Sequence, residues 1–322
     1  MSKVACIGAG QWGKNLIRCF LTLGALHAVC DTDYSRLEEL SRLYPGVRFT
    51  DCWYEVMEDR EVKGVVIATP SQTHFDIAME ALRAGKDVLV EKPMTLSTGD
   101  GERLVAEARS RKKVLMVGHV MRYHPAIDRI KLIMDSGQLG ELYMIYSSRL
   151  NFGRFRKVEN VLWSFAPHDI SITLYLAGAM PERFSIFGTS KLTADIEDSV
   201  MVQLGFPNGI DAQLHLSWLH PYKEQKLIVM GKKGVIVFDG VCNKLELLPH
   251  DIVEVSGSLV GRKSEVTTIE LPQVEPLLEE CRHFLHCINT RTNPITDGHE
   301  GLRVLKVLES CQSLISKEGS NL

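Results

Sequence analysis

The chain alternates between short, solidly apolar runs and longer segments in which apolar residues recur every three or four positions. The runs at 3–9 (KVACIGA), 27–31 (HAVCD), 64–69 (GVVIAT), 87–91 and 113–118 have the length and texture of buried strands. Between them, 12–23, 34–43, 73–84 and 97–112 carry the period of one-sided helices. Strict alternation of this kind predicts a doubly wound parallel sheet with helices on both faces. The alternation stops near residue 120. After a helix at about 125–137, strand-like stretches follow one another at 141–150, 182–190, 198–206, 209–218, 224–231, 234–239 and 244–248. Turn signals such as Pro207, Asn208 and Gly209 join several of them. One helix, about 167–177, interrupts the series, and two close the chain at about 275–290 and 298–316. The expectation is an α/β protein of two domains. Residues 1–120 form the parallel sheet. Residues 121–322 form an α+β domain with a large open, mainly antiparallel sheet and helices on one face, the closing helices being able to pack back on the first domain. The last residues, KEGSNL, read as a loose tail.

A length of 322 residues fits two cores better than one. The net charge of -3 gives no general attraction for nucleic acid or an anionic membrane. No apolar run is long enough to span a bilayer. The opening residues, MSKVACIGAG, carry one lysine and run straight into a strand, so no secretory leader is expected. The eight cysteines include no CxxC pair, which predicts buried, reduced thiols in a cytoplasmic protein and no zinc site. The chemistry to look for is therefore that of a small molecule.

The stretch IGAGQWG spaces Gly8, Gly10 and Gly13 as GxGxxG. It follows a strand, opens a helix and is trailed by Asp31 at the end of the second strand. That is the context in which glycines form a dinucleotide cradle. Gly8 permits the tight turn, Gly10 lets the backbone approach a pyrophosphate, and Gly13 lets helix and strand pack closely. Gln11 and Trp12 complete the loop. The helix N-terminus offers N–H donors and partial positive charge to phosphates. A carboxylate at Asp31 would take the adenosine ribose hydroxyls and repel a 2′-phosphate, which favours NAD over NADP; Arg36, a few residues on, softens that preference.

In VLVEKPM, an apolar strand runs directly into Glu91, Lys92 and Pro93. Ligands of open α/β sheets bind at the carboxyl ends of the strands. The glycine loop, the Ala68-Thr69-Pro70 segment and the Glu91–Pro93 segment therefore point at one place. A lysine partly desolvated there, near a cationic nicotinamide, has a lowered pKa and can accept or relay a proton from an alcohol as hydride leaves the same carbon. The plain alternative is a lysine that snorkels to solvent or pairs with Glu91.

The segments GAGQWG, ATPSQTHFDIAMEALRAGKDVLVEKPM, GHVMRYHPAI and FAPHDIS occur in the order found in the glucose–fructose oxidoreductase / inositol dehydrogenase family (Gfo/Idh/MocA), which the chain resembles over nearly its whole length. The resemblance implies an N-terminal Rossmann domain that binds NAD and a C-terminal α/β domain that binds substrate and oligomerises, often through its sheet, as a homodimer or homotetramer. It implies that Lys92 is the catalytic lysine and that Thr69, Pro70, His74 and Glu91 lie near the cofactor. It places His168 against the substrate as a partner in proton transfer. The family pattern has an aspartate four residues before that histidine; here the position is Ser164, so Lys92 and His168 are left as the proton-handling pair, with Asp169 orienting a neighbour or capping the helix. Arg122, Tyr123 and His124 fall where the family places substrate contacts, and a structural role stays equally open for them.

Within the family the chain most resembles the branch that oxidises the 3-hydroxyl of UDP-N-acetylglucosamine, on the segment NVLWSFAPHDIS with Trp163 and on SWLHPYKEQKLIVMG. That likeness implies a 3-keto sugar, an aminotransferase that consumes it, and 2,3-diamino sugars for lipid A or surface polysaccharide. A UDP-sugar needs cations for its diphosphate, and RLNFGRFRK offers Arg149, Arg154, Arg156 and Lys157, with Phe152 and Phe155 interleaved for stacking. A solvated charge run is the bland reading of the same residues. Other sugar dehydrogenases of the family remain alternatives, acting on the 6-carboxylated UDP-sugar, on inositol or on a free sugar; a non-catalytic NAD-binding regulator is the alternative of another class.

Overall fold

The computed structural model describes residues 2–153 and 155–318. Arg154 and residues 319–322 lie outside the described residues, and with them most of the expected tail. The chain divides into two compact units. One gathers the residues through Tyr123 together with Val274–Leu305; the other gathers His124–Gln273 and the residues from Lys306 on.

In the first unit the elements are β1 (Lys3–Ile7), α1 (Gly13–Thr22), β2 (Leu26–Cys30), α2 (Tyr34–Leu43), β3 (Arg48–Thr50), α3 (Trp53–Glu58), β4 (Val62–Ile67), α4 (His74–Arg83), β5 (Asp87–Glu91), α5 (Thr98–Ser110) and β6 (Leu115–Gly118). Among the described residues they build a six-stranded sheet in the order β3-β2-β1-β4-β5-β6, every pair parallel. All five residues of β5 are buried, and all of β4 but one, as a sheet covered on both faces requires. The order reverses between β1 and β4, so their carboxyl ends meet at the crevice where such sheets bind ligands. The short β3 and α3 had no sequence signal of their own.

The second unit begins with α6 (Pro125–Asp135), β7 (Leu142–Phe152), α7 (Val161–Ala177), β8 (Arg183–Thr189), β9 (Ser199–Gly205), β10 (Asp211–Ser217), β11 (Leu219–Gly231), β12 (Gly234–Asp239), β13 (Lys244–Val255), β14 (Ser258–Lys263) and β15 (Thr267–Ile269). Its nine-stranded sheet runs β14-β13-β12-β11-β7-β10-β9-β8, with β15 on β13. Among the described residues only β7–β10 is parallel; the other pairs are antiparallel. The strands alternate as a one-sided sheet should: Val200, Val202 and Leu204 of β9 are buried while Met201 and Gln203 are exposed. Helix α7 packs on β7, β9 and β10.

Two long helices close the chain, α8 (Pro276–Thr290) and α9 (Gly298–Glu318). α8 adds Leu277, Cys281, Phe284 and Ile288 to the core of the parallel-sheet unit, where Phe284 meets Phe20 of α1 edge to face at 6.4 Å. Burying one such aromatic ring contributes about 2–3 kcal/mol. All eight cysteines are free thiols, and burial pushes that of Cys30 up to about 12.

The largest departure from expectation is α7. It starts at Val161, six residues before the expected 167. Pro167, the first residue of the expected helix, lies inside it. The true cap is Asn160, whose side chain accepts from the Trp163 N–H at 3.2 Å. His168 and Asp169 are thus interior helix residues, and Asp169 caps nothing.

Candidate active site

The glycine loop has the shape a pyrophosphate needs. Gly8 sits at φ +97°, and a Cβ there would stand 2.6 Å from the Ala68 backbone. A Cβ on Gly13 would run into the Gly8 carbonyl. At Gly10 the space is open, with nothing within 4 Å of where a Cβ would be. Two of the glycines are therefore required by the protein's own packing, and the third leaves room for a ligand. α1 begins at Gly13, so Gly10, Gln11 and Trp12 present its unpaired end to that space. Asp31, buried at the end of β2, accepts from Ala9 N–H at 2.6 Å and Asp33 N–H at 2.8 Å. These two bonds lock the loop onto the end of β2. Arg36 lies 3.5 Å from Asp31 and 3.1 Å from Asp33 and is held by both acids. These residues fit NAD, the cofactor of the fold.

The EKP segment is bolted to the same loop. The Trp12 indole N–H donates to the Glu91 carboxylate, a bond that joins the cradle to the end of β5. No sequence signal marked that pair, because the residues are 79 positions apart. Burial raises the pKa of Glu91, with the Trp12 bond and the charge of Lys92 working against it. Gly118 leaves the space for this carboxylate, since a Cβ there would stand 2.9 Å from it. Lys92 is half-buried at the strand end. His74, expected near the cofactor, is 1% exposed. Its Nδ1 lies 2.8 Å from the Pro93 carbonyl and its Nε2 2.9 Å from the Thr69 carbonyl. Both ring nitrogens face backbone carbonyls. Glu280 of α8 is fully buried, and among the described residues neither of its carboxylate oxygens has a hydrogen-bond partner; burial first, and the charge of Glu91 next, raises its pKa well above the usual range. His119 pairs with Glu300 at 2.6 Å.

Of the residues expected as substrate contacts around position 123, Tyr123 and His124 are half-buried and Arg122 is buried. Arg122 is 5% exposed. The Tyr123 hydroxyl lies 3.1 Å from Thr296 Oγ1, and burial raises its pKa. In the second unit His124 caps α6, accepting from Ala126 N–H at 3.2 Å through Nδ1, and its ring packs 4.7 Å from Phe238; burial lowers its pKa.

The basic cluster is also largely engaged. Arg149 on β7 donates to Asp169 from Nε at 2.6 Å and from NH2 at 3.3 Å, a fork on a carboxylate that also accepts from Ser147 Oγ at 2.6 Å. Asp169 therefore orients Arg149. Arg156 pairs with Glu159 at 3.1 Å, and Arg154 lies outside the described residues. Phe152 and Phe155 are exposed and meet edge to face at 5.6 Å. Trp163 donates from its indole to Gln312 at 3.1 Å. His168 is half-buried on α7, and Ser164, one turn earlier, is buried.

Residues 2–119 match the model of the oxidoreductase family with an NAD-binding Rossmann fold, and residues 127–237 match that of the GFO/IDH/MocA C-terminal domain. The chain is 28% identical over 309 residues to UDP-N-acetylglucosamine 3-dehydrogenase of Acidithiobacillus ferrooxidans, covering 94% of each. A solved structure of that enzyme superposes with a TM-score of 0.85 at 26% identity, over 97% of each chain. The chain is also 25% identical to scyllo-inositol 2-dehydrogenase (NAD(+)) of Bacillus subtilis, over 91% of this chain and 88% of that one. Both halves thus carry the same signature, and the chain belongs to the Gfo/Idh/MocA family of oxidoreductases.

Proposed function

We propose that the protein oxidises the 3-hydroxyl of UDP-N-acetylglucosamine to a 3-ketone with NAD. The observation that carries this reading is the end-to-end similarity to an enzyme of that activity, 94% of each chain. Bound NAD supplies the acceptor for the hydride leaving C3. Lys92, in its neutral form, takes the hydroxyl proton as the C–O bond becomes C=O, and His168 is the second group that handles the proton. Ser164 stands where the family has its aspartate, and Asp169 is committed to Arg149, so neither residue supplies a carboxylate to His168. The sugar nucleotide draws on the segment from Arg149 to Lys157, with Phe152 or Phe155 available for a ring face. On this reading the enzyme works in the cytoplasm as a homodimer or homotetramer, and an aminotransferase-class reaction consumes the ketone.

A second reading, oxidation of a free sugar or polyol, is favoured by one specific observation. Arg149 and Arg156 are each neutralised by an acid, which leaves fewer cations for a diphosphate. The two readings part in one assay. NADH formation is followed with UDP-N-acetylglucosamine, its 6-carboxylated analogue and scyllo-inositol at equal concentrations. The proposal expects the first to be used best by kcat/KM; a preference for scyllo-inositol overturns it.

A further inference from the structure

We propose that His74 is a positioning residue, a clamp that fixes where Lys92 sits without touching cofactor or substrate. The proposal rests on the reading of Lys92 as the proton acceptor, and it comes from the burial and geometry of the imidazole. His74 is the first residue of α4, and its side chain is enclosed at 1% exposure. Its two nitrogens reach two carbonyls on different loops. One is Thr69 O, just past β4; the other is Pro93 O, the residue directly after Lys92. Thr69 and Pro93 follow neighbouring parallel strands, β4 and β5. The ring therefore bridges the segments that follow β4 and β5, beside the crevice between β1 and β4.

Carbonyl oxygens only accept, and a neutral imidazole carries one N–H. Both bonds form together only when both nitrogens bear protons. The ring lies between two acceptors at 2.8 and 2.9 Å, and a neutral imidazole donates to one of them. The Thr69 side is held a second time. Thr73 Oγ1 lies 2.7 Å from Thr69 Oγ1 and 2.8 Å from the Pro70 carbonyl. The Glu91 side is held by Trp12. His74 supplies the hold on the far side of Lys92, at Pro93, so the lysine stands between two anchored neighbours. A misplacement of about 1 Å at a reacting group costs up to about 100-fold in rate.

The test reads the position of Lys92 without relying on turnover. Lysines of the intact protein are labelled by reductive 13C-methylation in the presence of NAD, and the Lys92 resonance is identified by its loss in Lys92→Arg. In His74→Ala the proposal expects that resonance to shift and to titrate differently, kcat to fall about 10-fold to 100-fold, and KM for NAD to change less than kcat does. His74→Gln keeps one amide donor and recovers part of each effect; it takes the place of the alanine variant if that one does not fold. An unmoved Lys92 resonance in whichever variant folds overturns the clamp, even if the protein has lost stability. Retained turnover in Lys92→Ala instead overturns the catalytic role of the lysine, and the resonance still decides the clamp.

Discussion

The two units hold their chemistry-bearing side chains in different ways. In the parallel-sheet unit, the groups around the crevice are fixed by loop backbone and by short polar bridges. Asp31 bonds the Ala9 and Asp33 amides, His74 faces two carbonyls, and Trp12 holds Glu91. In the mixed-sheet unit, cations are fixed by carboxylates: Arg149 by Asp169 and Arg156 by Glu159. The first arrangement shapes a cavity for a ligand with a repeated, invariant part. The second neutralises charges before any ligand arrives, and so says less about what the ligand is.

The difference can be broken by mutation, and the largest effect belongs to the first unit. Lys92→Ala is expected to lower kcat by about 100-fold to 10,000-fold, the range for removing a general acid–base group, while NAD binding measured by calorimetry stays within a fewfold. Loss of NAD binding in step with kcat would assign the lysine to the cofactor instead.

The glycines sharpen the contrast between packing and binding. Gly10→Ala meets open space, so the variant should melt with the wild type yet bind NAD at least tenfold more weakly. Gly13→Ala meets the Gly8 carbonyl and should lose both stability and binding. Equal thermal stability in the two variants would contradict the assignment of their roles.

For the second unit, Asp169→Ala leaves Arg149 half-buried without its acid. Breaking a buried pair from one side costs about 3–5 kcal/mol, readable as a drop in the urea midpoint with little change in slope. A wild-type midpoint would show that Arg149 finds solvent or another partner at no cost.

The smallest effect concerns Glu280. Its folded pKa is raised, so unfolding releases a proton once pH exceeds the ordinary carboxyl value. Stability contributed by keeping this group neutral is intact below that value and falls as pH rises toward the folded pKa. Glu280→Gln removes the penalty. It should raise Tm at pH 7–8 by about 2–4 °C for each kcal/mol relieved and leave it unchanged near pH 4. An equal shift at both pH values would make the effect one of packing.

What could be read from the chain divides along the same line. β5 was placed residue for residue at 87–91; the glycine loop was read from its own spacing, Asp31 and Lys92 from the ends of their strands, and the role of Lys92 from the family resemblance. Such signals are local, because backbone turns and strand ends are local. The start of α7 was misplaced at Pro167, while the cap lies seven residues earlier at Asn160. The fork of Arg149 on Asp169 joins residues 20 apart across a strand and a helix, and no spacing rule reaches it. The hairpin of β13 and β14 escaped notice beyond 248 because every residue of β14 is exposed, so it has no buried face to leave a period. His74 was seen as part of a motif, but its two carbonyl partners are visible only once β4 and β5 lie side by side.

The most direct test of the central claim uses UDP-N-acetylglucosamine deuterated at C3. The sugar is incubated with the protein and NAD, the ketone is trapped with a hydrazine, and the recovered cofactor is weighed by mass spectrometry. The account predicts NADH one mass unit heavier than that formed from unlabelled sugar, which fixes the carbon, the direction and the cofactor together. Unlabelled cofactor, from a protein shown by calorimetry to bind NAD, would contradict it.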